Sequence, residues 1–262
     1  MRSSTIVRLF IVFSFGCSNN SIKGPQDTTT EGTIHISVEE SFKPIIEQQI
    51  KVFESSNPNA HIIAEYKSEI ECLKDFTEDS TRMVIVTRGL TKAEDSNFYK
   101  QIGFHPTFGI LAYNAIAVIT NKASKDTIFT MQDLSNRLTG KVATPVVMDG
   151  TNLTGIVRFL KDSLVKNQVF GKNVKAANNS NEALDYIKNN PNAIGFVGMN
   201  WISDIYDPAQ EKYRKYIQNA LIECTLCIEK NYYSQPSQVT ISEGHYSFCL
   251  LYTSDAADDL LC

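Results

Sequence analysis

The chain has 262 residues, 42% of them hydrophobic and 21% charged, with 25 basic and 29 acidic side chains and a formal net charge of −4. That is enough chain for one large or two small α/β lobes. The acidic balance excludes a basic field for nucleic acid.

Neither end reads as folded domain. Arg2 and Arg8 precede the apolar stretch 9–16 and then Cys17, the order of a charged region, a short apolar region and a small-residue cleavage site. Such a stretch is too short for a bilayer, which takes about 20 residues. It resembles a lipoprotein signal in which Cys17 is lipidated, with Ser14 and Phe15 departing from the usual pattern. Residues 18–32 are polar and without apolar period, so they read as a flexible tether. At the other end, CLLYTSDAADD (249–259) looks like one frame of a sequencing-library adapter. On that reading residues 249–262 are an artefact and the gene continues differently after about Phe248.

Between these ends, strand and helix signals alternate. Thr33–Val38 is a β-branched run, and Phe42, Ile45, Ile46, Ile50 and Phe53 share one helical face over 40–54. Asn57-Pro58-Asn59 stops that helix. A strand at 60–66, a helix at 69–76, a strand at 83–87 and a helix at 91–100 complete a βαβαβα series, which argues for a mostly parallel sheet. The apolar strand 115–121 follows. The pattern then restarts with a helix at 131–138, a strand at 141–148, a helix at 152–167 burying Ile156, Val157, Leu160 and Leu164, a helix at 181–189 and a strand at 193–198. Cys224 and Cys227 fit a small disulfide, half a zinc site or two packed thiols. With no second CxxC and no neighbouring His, a structural disulfide is favoured. His35, His61, His105 and His245 lack metal-ligand spacing, and Trp201 reads as core.

Ligands of parallel α/β sheets sit at the carboxyl ends of the strands. Those ends read Ser37-Val38-Glu39-Glu40-Ser41-Phe42, Lys67-Ser68-Glu69, Thr87-Arg88-Gly89 and Asp149-Gly150-Thr151-Asn152-Leu153-Thr154. Hydroxyls and N–H groups at helix starts desolvate an anion without adding counter-charge, and a guanidinium adds a strong donor. Each hydroxyl equally serves as an ordinary helix cap. Glu39, Glu40, Glu69 and Glu71 are more simply dipole partners; facing a pocket, they would repel phosphate.

The phrases SFKP (41–44), DGTNLTGIVRFL (149–160) and PNAIGFVGMNW (191–201), in that order, resemble the phosphate-binding solute receptors of bacterial ABC transporters. The resemblance spans about 32–248. It implies the two-lobed type II periplasmic binding protein fold, an α/β architecture of mostly parallel sheets, with the C-terminal part of the first lobe missing here. Lobe I would be 33–115 plus 233–248 and lobe II 116–232, hinged at strand 115–121 and the return near 234–241. Matching positions imply a ligand set of Ser41, Phe42, Ser68, Thr87, Arg88, Asp149, Gly150, Thr151, Asn152 and Thr154. The chain departs from the family where Val147 replaces an Arg two residues before the Asp-Gly pair, and where Thr87-Arg88 replaces an Asp that accepts a phosphate proton. Arg88 would favour a fully ionised group.

The implied protein is a monomeric extracytoplasmic lipoprotein, in the periplasm or at the cell surface. Its partners would be phosphate or a similar oxyanion, an ABC permease and the membrane through its anchor. No cofactor, metal or catalytic residue is assigned; GxSxG, P-loop and dinucleotide motifs are absent. Rival readings are an anion-sensing lipoprotein and a phosphoryl-handling hydrolase.

Overall fold

The computed structural model describes residues 28–78, 80–150 and 154–251. The elements in chain order are β1 (Glu31–Glu39), α1 (Lys43–Ser56), β2 (Asn59–Lys67), α2 (Glu69–Asp75), β3 (Thr81–Ile85) and α3 (Lys92–Ile102). They continue with β4 (Tyr113–Asn121), β5 (Ile128–Phe129), α4 (Met131–Leu138), β6 (Val146–Met148), α5 (Gly155–Leu160), β7 (Val174–Ala176) and α6 (Ser180–Asn189). The last are β8 (Ile194–Gly198), α7 (Pro208–Arg214), β9 (Ile217–Asn219), β10 (Leu221–Glu223), β11 (Tyr233–Ser234), α8 (Gln238–Ser242) and β12 (Cys249–Leu251).

The first lobe is a three-stranded parallel sheet, ordered β2-β1-β3. β1 alternates exposed and half-buried along its first half and is buried on both faces over Ile36–Glu39, where the other lobe meets it. The helix expected at 40–54 begins with a 3-10 turn at Glu40–Phe42 and continues as α1, with Pro44 in its first turn where its missing N–H is no loss. Of the expected inward face only Phe42 and Ile46 are buried, and Phe53 is exposed.

The second lobe is built on a six-stranded mixed sheet, β12-β4-β8-β6-β7, with β9 also on β4. β6 runs parallel to β7 and β8, whereas β4 runs antiparallel to β8, β9 and β12. Every residue of β4 after Tyr113 is buried, which accounts for its unbroken apolar run. Ile156, Val157, Leu160 and Leu164 all point inward, but the expected helix is shorter and passes into a π-helical turn at Lys161–Val165. The expected strand at 141–148 shrinks to Val146–Met148, since Pro145 supplies no ladder donor. Cys224 and Cys227 form a disulfide.

One assignment is corrected. Residues 233–248, given to lobe I by the resemblance, pack on lobe II. β11 pairs β10, Tyr246 donates to the Ile116 carbonyl at 2.7 Å, and Tyr246 and Phe248 sit in the same cluster as Leu160 and Phe196. The physical reason is that these aromatics find their apolar partners under β4 and α5. Residues 249–251 extend the same edge as β12; the signal, Cys17 and the remainder of the adapter-like tail lie outside the described residues.

Candidate functional site

The cleft lies where the carboxyl ends of β1 and β3 face the start of α5. From β1, Ser41 is buried and its hydroxyl donates to the Glu39 carboxylate. The Ser41 carbonyl accepts from Asn200 Nδ2 at 2.6 Å and from Trp201 Nε1 at 3.0 Å, both on the 3-10 turn that follows β8. Trp201 is core, as expected, and it also clasps the first loop of the opposite lobe.

Beyond β3, buried Thr87 donates to the Glu69 carboxylate, which is buried at the start of α2. The same carboxylate accepts from Arg88 Nε at 3.3 Å and from Arg158 Nε at 3.1 Å. Arg158 belongs to the opposite lobe, and its Nη2 also reaches the Thr87 hydroxyl at 2.9 Å. Arg88 is held further by Glu94, which accepts at 2.7 and 2.8 Å in a two-pronged pair. Donors from both lobes thus meet on one carboxylate.

The second-lobe turn is shaped by close approach. Gly150 has φ +83, and a Cβ there would run into the Thr154 side chain. Thr154 caps α5, accepting from Val157 N at 3.4 Å and donating to the Asp149 carbonyl at 3.1 Å. A Cβ on Gly155 would lie under 3.0 Å from Oγ1, Cγ2 and Cβ of Thr87, so only glycine lets α5 dock against β3's end. Asp149 is buried and accepts from the Ser180 hydroxyl at the start of α6. An open cleft of about 580 Å³ leads in from solvent, lined by Glu69, Arg88, Thr154, Arg158, Lys161 and Asp162 among others.

Burial decides the charge here. It lifts Glu39 to about 8, helped by the Asp149 and Glu69 carboxylates and opposed by the Ser41 hydroxyl and the Gly155 N–H. Burial likewise lifts Asp149 to about 7, opposed by Ser180 and reinforced by Glu40. Glu94 goes the other way, drawn down to about 2 chiefly by its bond from Arg88.

Of the sequence-derived set, Arg88 and Thr154 line the cleft, Ser41, Thr87, Asp149 and Gly150 lie buried beside it, and Phe42 supports it from the lobe I core. Thr151 and Asn152 lie outside the described residues. Ser68 does not join them. It forms a capping box with Glu71, its hydroxyl donating at 2.6 Å, and its neighbour Glu69 faces the cleft instead. Glu69 stands in the first turn of α2, as a dipole partner does, and also lines the cleft, while Glu39 is buried beside it at the end of β1. Arg158 was missed. Its signal was legible within DGTNLTGIVRFL, because helical side chains lean toward the N-terminus and a residue one turn in covers the helix start. Val147, where the resemblance expected a guanidinium, is buried core in β6, and Arg158 brings one to the cleft from α5.

Two α/β lobes whose donors meet across the cleft between them define a two-lobed α/β class of protein. The chain belongs to the PBP superfamily domain family, whose model matches residues 23–254. Its fold is the type II periplasmic binding protein fold.

Solved structures agree on that fold. A Clostridium perfringens protein, assigned as a phosphate ABC transporter substrate-binding protein and solved with bound phosphate, matches at TM-score 0.66 and 17% identity over 84% of each chain. An ABC-type phosphate transport receptor from Vibrio cholerae matches at 0.57 and 14%, over 84% of this chain and 85% of that one. The Synechocystis PCC6803 CcmR regulatory domain in complex with 2-PG matches at 0.53 and 12%, over 73% and 81%. No curated protein matches this chain in sequence.

Proposed function

We propose that this protein is an extracytoplasmic receptor that traps phosphate, or a similar small oxyanion, between its lobes and delivers it to an ABC permease, tethered to the membrane by a lipid on Cys17. The observation that carries this reading is the Glu69 carboxylate. Thr87 and Arg88 of one lobe and Arg158 of the other all donate to it or reach its neighbour. A carboxylate is itself an oxyanion, so the donors are already arranged to hold one, with Glu69 in place when the cleft is closed. An arriving tetrahedral anion takes over those donors, touches both lobes and so favours the closed form. The proteins of like fold from Clostridium perfringens and Vibrio cholerae, described as phosphate-binding, support phosphate as the ligand. The reading assigns binding and not turnover.

Calorimetry with inorganic phosphate tests it, with sulfate as the competing anion. Saturable binding is expected, and Arg158→Ala weakens it about 10- to 100-fold, the worth of one or two hydrogen bonds to a charged group. No binding by the intact chain, or unchanged affinity in Arg158→Ala, would reject the assignment.

A further inference from the structure

Glu39 is a buried carboxyl beside the cleft with one oxygen unpartnered among the described residues. It is fully buried at the end of β1; one oxygen accepts from Ser41, and Oε1 has no hydrogen-bond partner among the described residues. An ionised carboxylate left in that state is costly, because burial strips its solvation and no cation is paired with it among the described residues.

The groups packed around it give no cation. α2 presents Glu69 and the buried thiol of Cys72, the turn after β6 presents Asp149, and the start of α5 presents the Gly155 N–H. Arg88 and Arg158 stop at Glu69. Two of these neighbours, Asp149 and Gly155, belong to the opposite lobe, so part of what encloses Glu39 arrives only when the cleft closes.

We propose that Glu39 is a ligand-binding residue that acts as a carboxylic acid: on closure it takes up a proton and donates it in a hydrogen bond to the trapped oxyanion. The inference rests on the oxyanion-receptor reading and adds to it that capture is coupled to protons. In the open cleft Glu39 meets water and is ionised at neutral pH. Closing buries it next to two carboxylates and a dianionic guest, all of which oppose a second local negative charge. The proton therefore comes from solvent, one per closure. The form of the ligand favoured is the more highly ionised one, which needs more donors and offers fewer hydrogens. The lift of Glu39 to about 8 in the closed form agrees with this and sets the window. Below the ordinary glutamate range both forms are protonated, above about 8 both are ionised, and between those limits each unit of pH costs about tenfold in affinity.

The experiment is phosphate calorimetry on the full chain from pH 5.5 to 8.5, each pH run in two buffers of different ionisation enthalpy. Glu39→Gln serves as reference, since it keeps a donor but cannot ionise. Phosphate itself titrates in this range, and its contribution is shared by both proteins. The wild type is expected to take up about one proton more than Glu39→Gln, with the ratio of their dissociation constants rising about tenfold per pH unit up to about pH 8. Binding with equal proton uptake and parallel pH profiles overturns the inference and leaves the receptor reading standing. No phosphate binding by the wild type overturns both. Should Glu39→Gln fail to fold, infrared difference spectra of the wild type decide. A protonated-carboxyl C=O band appearing on phosphate addition at pH 7 supports the proposal, and its absence rejects it.

Discussion

The two lobes solve the same α/β problem with unequal means. Lobe II encloses its sheet on both faces, with one large cluster around Phe196, Leu160 and Phe248 and another around Val147, Leu184 and Tyr213. Lobe I has three strands and two small clusters, around Val38 and Phe42 and around Cys72 and Leu73, and it leaves Ile63, Met83 and Val52 well exposed. The lobe with the thin core nevertheless carries Glu39, Glu69, Arg88 and Glu94, as many charged groups as the lobe II side with Asp149, Arg158, Lys161 and Asp162.

Core truncations would show the contrast most strongly. Phe196→Ala, at a fully buried position, is expected to cost about 3–5 kcal/mol in urea unfolding. Ile46→Ala, backed on one side by half-buried Ile50 and Ile62, should cost about 2 kcal/mol, at the low end for its type. Equal losses would mean that lobe I is better packed than its exposed side chains suggest.

Gly155→Ala probes the seam between the lobes. The added methyl collides with Thr87 only when the cleft is closed, so an overpacking penalty of about 1–3 kcal/mol falls on closure alone. Phosphate affinity should drop by about 5- to 100-fold, while the melting temperature without ligand changes little. A large fall in melting temperature with intact affinity would place the glycine's role inside lobe II.

The smallest effect distinguishes two carboxyls within lobe I. Glu94 is held at about 2, below its unfolded value, so its stabilisation is present above about pH 4.5 and is lost as pH falls toward 2. It is partly exposed, so Glu94→Gln should cost no more than about 1 kcal/mol at pH 7 and nothing near pH 2. A pH-independent difference between the two unfolding curves would show that the Arg88 pair contributes no stability. Glu39 carries the opposite sign: lifted to about 8, it lowers stability increasingly from about pH 4.5 up to that value.

Much of the fold was legible in the residues. The βαβαβα order of lobe I, α4 at its observed bounds, and the inward face of Ile156, Val157, Leu160 and Leu164 followed from periodicity and from polar residues at element ends. These are local properties: a 3.6 or 2-residue period and a cap are set by neighbours a few positions apart. What tertiary structure alone decided were matters of distance across the chain. Arg158 meets Glu69 across 89 positions and Trp201 meets Ser41 across 160. Residues 233–248 chose lobe II because Tyr246 and Phe248 found cover there. Whether Glu39 is a solvated anion or a buried acid depends on what closes over it, and no pattern along the chain encodes a local dielectric.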